Sequence, residues 1–302
     1  MILEFNKKFP WLGIIFHLRK SVIPVIWHRV LGVMVFALII TLAYNKGFAV
    51  SYSFGYSLIP SIVLGLLLVF RTNTAYSRFW DGCCAWGKLK ISSRILARNI
   101  STIIPVNNRE EQEEKIYYMQ LVPVMMSSIR THLRNESIDQ RGRLILRQEH
   151  LEELTTVQHK PLRFVSWFSS YFYHIYREGK ISDRLFTELS SILDSIVNDF
   201  SSCERILNTP IPKAYNIHLK HLVLIFCLSI PIELVEKINW GVIIVAGVTS
   251  FALLGIEAIG LEIEDPFGYD PNDLPLDAYC QKIYDEVDEL LSYEAAQSRL
   301  SK

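Results

Sequence analysis

YSLIPSIVLGLLLVFRTNTAYSRFWDGCCAW, running from Tyr56 to Trp86, decides how this chain is to be read. Its first half carries no charge, whereas from Arg71 onward it is studded with Arg, Asn, Tyr, Trp and Asp. No turn chemistry separates the two halves. Pro60 sits where a first helical turn tolerates it, and no Pro or Gly pair stops the run before Gly82. The stretch predicts one long helix that leaves a membrane and continues into water. Ile62, Leu66 and Phe70 recur at i, i+4 and i+8 and so share one face. Thr74, next on that line, is already polar. A ring of such helices from several subunits would enclose a narrow apolar throat above a polar vestibule.

Composition fits a protein divided between lipid and water. Of 302 residues, 50% are hydrophobic and 21% charged, and the mean hydropathy is only mildly positive. The formal net charge is zero, which removes the global field that nucleic-acid binding would use. Cys83, Cys84, Cys203, Cys227 and Cys280 form no CxxC pair and are odd in number; reduced thiols facing a cytosol are expected. Lys7, Lys8, Arg19 and Lys20 flank a segment of mixed polarity, so no cleavable signal pattern stands at the start.

Working outward, Trp11, Ile14, Ile15 and Leu18 form an amphipathic lead-in. Val30 to Tyr44 is uncharged but shorter than the roughly twenty residues of an ordinary span. Trp27 and Tyr44 at its rims supply interfacial aromatics, and it reads as the first transmembrane helix. After Arg71 nothing up to Asn208 is apolar enough to span. This stretch reads as amphipathic helices: one through Leu89, Ile95 and Ile100, one opened by Glu110 to Glu114, a polar run from Arg141 to Lys160, an aromatic helix over Trp167 to Ile175, and one capped by Ser182 or Asp183. The prolines of Asn208-Thr-Pro-Ile-Pro break the chain before a third span, His218 to Leu234. Asn239 to Ile256 is the fourth, with Gly241, Gly247 and Gly255 for close packing. An acidic, Pro-rich loop and a final helix follow. Lys and Arg crowd the N-terminal segment and the soluble middle, while the outer links hold only Lys46 and Glu236-Lys237. That asymmetry places both termini and the helical domain of a multi-pass protein in the cytosol. The expected organisation is 1–70 for the lead-in and first two spans, 71–208 for the cytosolic domain, 209–262 for the last two spans, and 263–302 for the acidic loop and C-terminal helix.

Three blocks carry a family resemblance: FRTNTAYSRFWDG followed by AWGKL, TPIPKAY before the third span, and IEDPFGYDPNDLPLD after the fourth. Together they resemble the bestrophin family of ion channels, its bacterial branch in particular, over nearly the whole chain. The resemblance implies an all-α homopentamer with four spans per subunit, a pore lined by the second span, and a cytosolic helical domain that extends the pore. It implies a neck of three apolar rings, which fall on Ile62, Leu66 and Phe70. It also implies a cytosolic aperture near Arg184 or Leu185, with Leu185 favoured for a cation channel because five guanidinium groups would repel cations. Membrane lipid and permeant monovalent ions are the expected partners besides self.

In eukaryotic members a loop of consecutive acids at the matching place clasps calcium. Here the equivalent residues are Glu262, Asp265, Asp270 and Asp273, with Asp277 beyond them as another hard oxygen donor. Tyr269, Pro271 and Asn272 interrupt the run, so no cofactor is expected and capping or solvated surface is the plainer role. Eukaryotic members pass chloride, whereas bacterial relatives resemble channels for sodium and other monovalent cations. Apolar rings have no charge with which to choose. The expectation is a channel preferring monovalent cations, with an anion channel of the same architecture as the alternative. A membrane-embedded metal enzyme using His218, His221 and Glu257, or a sensory scaffold, is more distant, because no HExxH or nucleophile–base spacing is present. No enzyme activity is expected.

Overall fold

The computed structural model describes residues 21–52 and 58–300, so the lead-in around Trp11 to Leu18 lies outside the described residues. The described chain is helical, as expected: α1 Ile23–Asn45, α2 Leu58–Ile103, α3 Arg109–Leu133, α4 Gln140–Ile145, α5 Gln148–Thr156, α6 Lys160–Arg177, α7 Asp183–Asn208, α8 Lys213–Ile238, α9 Gly241–Glu262 and α10 Leu276–Leu300. Two compact units emerge. Described residues up to Phe79 join Pro210–Asp273 in the first, and Trp80–Thr209 joins the chain from Leu274 onward in the second.

In the first unit α1, α2, α8 and α9 share one apolar core. Val33 and Ala37, Leu64 and Leu68, Leu219, Val223, Cys227 and Ile230, and Ala246 are buried together. Two of these helices, Ile23–Asn45 and Gly241–Glu262, are long and apolar enough to cross a membrane. In lipid such helices gain little from hydrophobicity, so small residues and close packing hold them together. Gly247 illustrates this: a Cβ there would stand 3.0 Å from the Met34 sulfur. At one end of these helices Asn45 and Asn239 donate to each other through paired side-chain amides, at 3.1 and 2.9 Å. Ser51 donates to Glu236 at 2.9 Å nearby.

The second unit is a water-type helical core. α3 opens on Asn108, whose side chain accepts the Glu111 N–H at 2.8 Å, while Glu111 accepts the Asn107 N–H at 2.8 Å. This reciprocal arrangement satisfies donors that a helix start would otherwise orphan. The aromatic helix α6 buries Phe164, Trp167, Phe168, Tyr171, Phe172 and Ile175. Each such ring stabilises the fold by about 1.5–3 kcal/mol through burial. Tyr171 stacks on Tyr118 of α3 at 3.9 Å between centroids. Gly179, with φ +74°, ends α6 in a backbone conformation that favours glycine. Ser182 then caps α7 by accepting the Leu185 N–H at 3.4 Å. All five cysteines are free thiols; burial pushes Cys203 and Cys280 up to about 12, which keeps them protonated and inert.

Candidate functional site

The apolar half of α2 has two sides. Leu64 and Leu68 are 3% and 2% exposed in the shared core. Ile62, Leu66 and Phe70 lie on the other side and are 60%, 53% and 57% exposed. The spacing of one helical turn puts the three in a row. Val63 and Val69 are also outward. Leu67 stands between the two sides, partly packed against the core, and its carbonyl accepts the Tyr215 hydroxyl at 3.2 Å.

Arg71, where the polar half begins, is not in water. It is 2% exposed. Its Nε donates to Asn216 at 3.0 Å, its Nη1 to the Glu257 carbonyl at 3.0 Å and its Nη2 to Glu264 at 3.4 Å. Glu264 also accepts the Ile211 N–H at 3.0 Å. One guanidinium thereby ties α2 to the start of α8, the end of α9 and the segment before α8. Gly260 makes room for it, since a Cβ at that position would lie 2.5 Å from Arg71 Nη1. Glu257 is buried at 3% exposure, with Arg29 and Lys220 at 3.6 and 4.0 Å from its carboxylate. Its surroundings are cationic, which disfavours a metal ion there. His218 and His221 are exposed, and among the described residues no third ligand joins them.

The loop after α9 is held by its own carboxylates. Asp265 accepts the Phe267 N–H at 3.1 Å, Asp273 accepts the Asp270 N–H at 2.7 Å, and Glu262 accepts from Asn272 at 2.8 Å. Asp273 Oδ1 is buried with no hydrogen-bond partner. Burial first, and then the charges of Asp270, Asp265 and Glu262, push the Asp273 carboxyl up to about 6. Asp277 belongs to the second unit and is committed elsewhere. Arg130 pairs with it and Arg134 donates to it at 2.7 Å. Burial opposes its charge, but these hydrogen bonds and cations outweigh burial and hold the carboxyl below its ordinary value. At the start of α7, Arg184 is exposed and Leu185 half-buried.

The family model for Bacterial/Fungal Bestrophin protein matches residues 1–289 of this chain. The chain belongs to the bestrophin family. Among curated relatives of this bestrophin, "Voltage-dependent anion channel-forming protein alr2987" of Nostoc sp. is 43% identical, over 93% of this chain and 92% of its own. The similarly named protein sll1024 of Synechocystis is 38% identical over the same shares. A crystal structure of a bacterial bestrophin homologue from Klebsiella pneumoniae superposes with a TM-score of 0.82 at 25% identity, covering 88% of this chain and 98% of that one. The protein is a membrane-embedded ion-channel protein and not an enzyme. The resemblance read from three short blocks thus holds over residues 1–289 of this bestrophin. What it missed is the burial of Arg71. The signal available was slight: an Arg placed directly after an uncharged run, with Glu264 near the end of another.

Proposed function

We propose that copies of this bestrophin close into a ring of five and conduct monovalent ions along an axis lined by α2. One observation carries the reading. Three large apolar side chains, each more than half exposed, stand one turn apart on the side of α2 that the subunit's own core leaves uncovered. Closed cyclic assembly brings identical rows together around an axis, and the family supplies the number five. Ile62, Leu66 and Phe70 then form the neck, and the start of α7, at Leu185 or Arg184, forms the cytosolic aperture. Four spans, α1, α8, α9 and the apolar half of α2, with both termini in the cytosol of the inner membrane, complete the reading; the shared four-helix core and the distribution of Lys and Arg support it.

Apolar rings leave the sign of the ion to be set elsewhere. The names of the relatives, anion channel-forming proteins up to 43% identical, favour anions, and that is the reading carried forward. The cation preference expected from the sequence keeps one supporting observation. Asp81 is exposed and falls about three turns beyond Phe70 at nearly the same helical angle. Reversal potentials in asymmetric sodium chloride separate the two: the anion reading expects reversal near the chloride potential, unmoved by Asp81→Asn. Reversal near the sodium potential, shifted by that substitution, would replace it with the cation reading. Light scattering in mild detergent tests the assembly, since a monomeric or dimeric mass excludes the ring.

Calcium is expected to change conductance little between chelated and millimolar free ion. Calcium takes about 6–8 oxygens, whereas Asp265, Asp273 and Glu262 each already spend an oxygen on closing their own loop. A steep activation curve would show that the free Asp273 oxygen and its neighbours are ligands after all.

A further inference from the structure

Three side chains from three helices of the second unit converge where the pore reading asks nothing of them. His132 lies in the last turn of α3 and His159 caps α6, while Glu204 belongs to α7. Glu204 Oε1 is 2.9 Å from His132 Nε2 and 3.2 Å from His159 Nε2. All three donor atoms fall within 4.8 Å of one another. Phe200, one turn before Glu204 and itself buried, sets its ring edge-on to both imidazoles, at 5.6 and 5.2 Å between centroids. The site therefore has an apolar floor. Its side chains are 28%, 40% and 24% exposed, so an ion from solution can reach them.

We infer that His132, His159 and Glu204 form a binding site for a divalent transition-metal cation of the zinc class. Two imidazole nitrogens and one carboxylate oxygen are the donor set of an open zinc site, with water completing the tetrahedron. Hard ions such as calcium and magnesium prefer oxygen donors and are poorly served by imidazole. With ligands at about 2.0–2.2 Å, a tetrahedral ion sets its donors roughly 3.3–3.6 Å apart. Both His-to-Glu separations lie within a few tenths of an ångström of that spacing. The two imidazoles, whose centroids are 4.9 Å apart with planes tilted by 42°, close the third by rotation about their own side-chain bonds.

Binding also has a defined proton consequence. His159 Nδ1 accepts the Leu162 N–H at 3.3 Å, so in the neutral ring the proton sits on Nε2, facing Glu204. For an ion to bind Nε2 the ring must switch tautomer: the Nε2 proton is lost to water, Nδ1 takes up a proton, and the lone pair freed on Nε2 goes to the ion. The long cap bond is then released, and the Leu162 N–H turns to solvent. The metal would thereby replace a shared-oxygen hydrogen-bond cluster with a clamp joining the end of α3, the start of α6 and α7.

The test uses the full chain in detergent, with any affinity tag removed and metal stripped by a chelator. Zinc titrated calorimetrically is expected to bind at one equivalent per chain, and Glu204→Gln and His159→Gln are each expected to weaken it at least ~10-fold. His218→Gln should leave binding unchanged. Equal zinc affinity in wild type and in the His132→Gln/His159→Gln double variant overturns the site. Should a variant misfold, X-ray absorption of wild type carrying one zinc equivalent decides: a shell with two imidazoles supports the site, and an oxygen-only shell overturns it. None of these readouts depends on whether the assembled protein conducts.

Discussion

Replacing Leu66 by alanine is expected to raise the single-channel current several-fold and to weaken any gating. Leu66 is the middle of the three outward residues. An ion crossing apolar rings sheds hydration with no polar group to replace it, so the barrier depends on width and wetting. In the proposed neck, Leu66→Ala shortens every side chain of the middle ring at once and should let water fill it. Leu66 is more than half exposed in the subunit, so truncation removes little packing and the fold should persist. Leu67→Ala provides the control. That side chain packs against the four-helix core, and its loss should cost stability, somewhat less than the roughly 2–5 kcal/mol of a fully buried leucine, with current nearly unchanged. The reverse pattern in single-channel recordings, Leu67 sensitive and Leu66 inert, would mean that another face of α2 lines the pore.

Arg71→Met is expected to destabilise the first unit by about 3–5 kcal/mol. The substitution keeps most of the aliphatic volume but leaves Glu264 buried without its cation and removes donors from Asn216 and the Glu257 carbonyl. Glu264→Gln should cost less, because an amide oxygen still accepts the Ile211 N–H. Gly260→Ala acts on the same network sterically, since its Cβ would stand against the guanidinium. Thermal melting of the detergent-solubilised protein measures all three. An Arg71→Met protein melting within about a degree of wild type would show that the buried pair contributes almost nothing net.

Much of the fold could be read locally because lipid and water impose different side chains. The uncharged runs at Val30–Tyr44 and Asn239–Ile256 identify helices; the structure lengthens the first to Ile23–Asn45, and it starts the second two residues later and carries it on to Glu262. Before Val30 the added residues Ile23 to Trp27 are themselves mostly apolar, and after Ile256 the residues Glu257, Ala258, Leu261 and Glu262 form helix readily. α2 likewise continues to Ile103, well past Trp86, because no breaker comes before Pro105. The row of Ile62, Leu66 and Phe70 was legible from spacing alone, as a helix has only one periodicity. Arg71 was not, and the polar half was assigned to water from that residue onward. Its partners Asn216, Glu257 and Glu264 are remote in sequence, and a buried ion pair looks locally like any surface charge. The trio at His132, His159 and Glu204 was hidden for the same reason. Its members come from three helices, with no spacing motif to announce them.

The pairing of Arg71 with Glu264 bridges 193 positions of the chain, and this bears on biosynthesis. A ribosome makes the guanidinium long before its carboxylate. Until α9 and the residues after it have emerged, α2 holds a permanent cation without its carboxylate at the edge of its most apolar stretch, with only the neutral Asn216 of α8 available to it. The four helices can therefore settle into their final packing only late in synthesis.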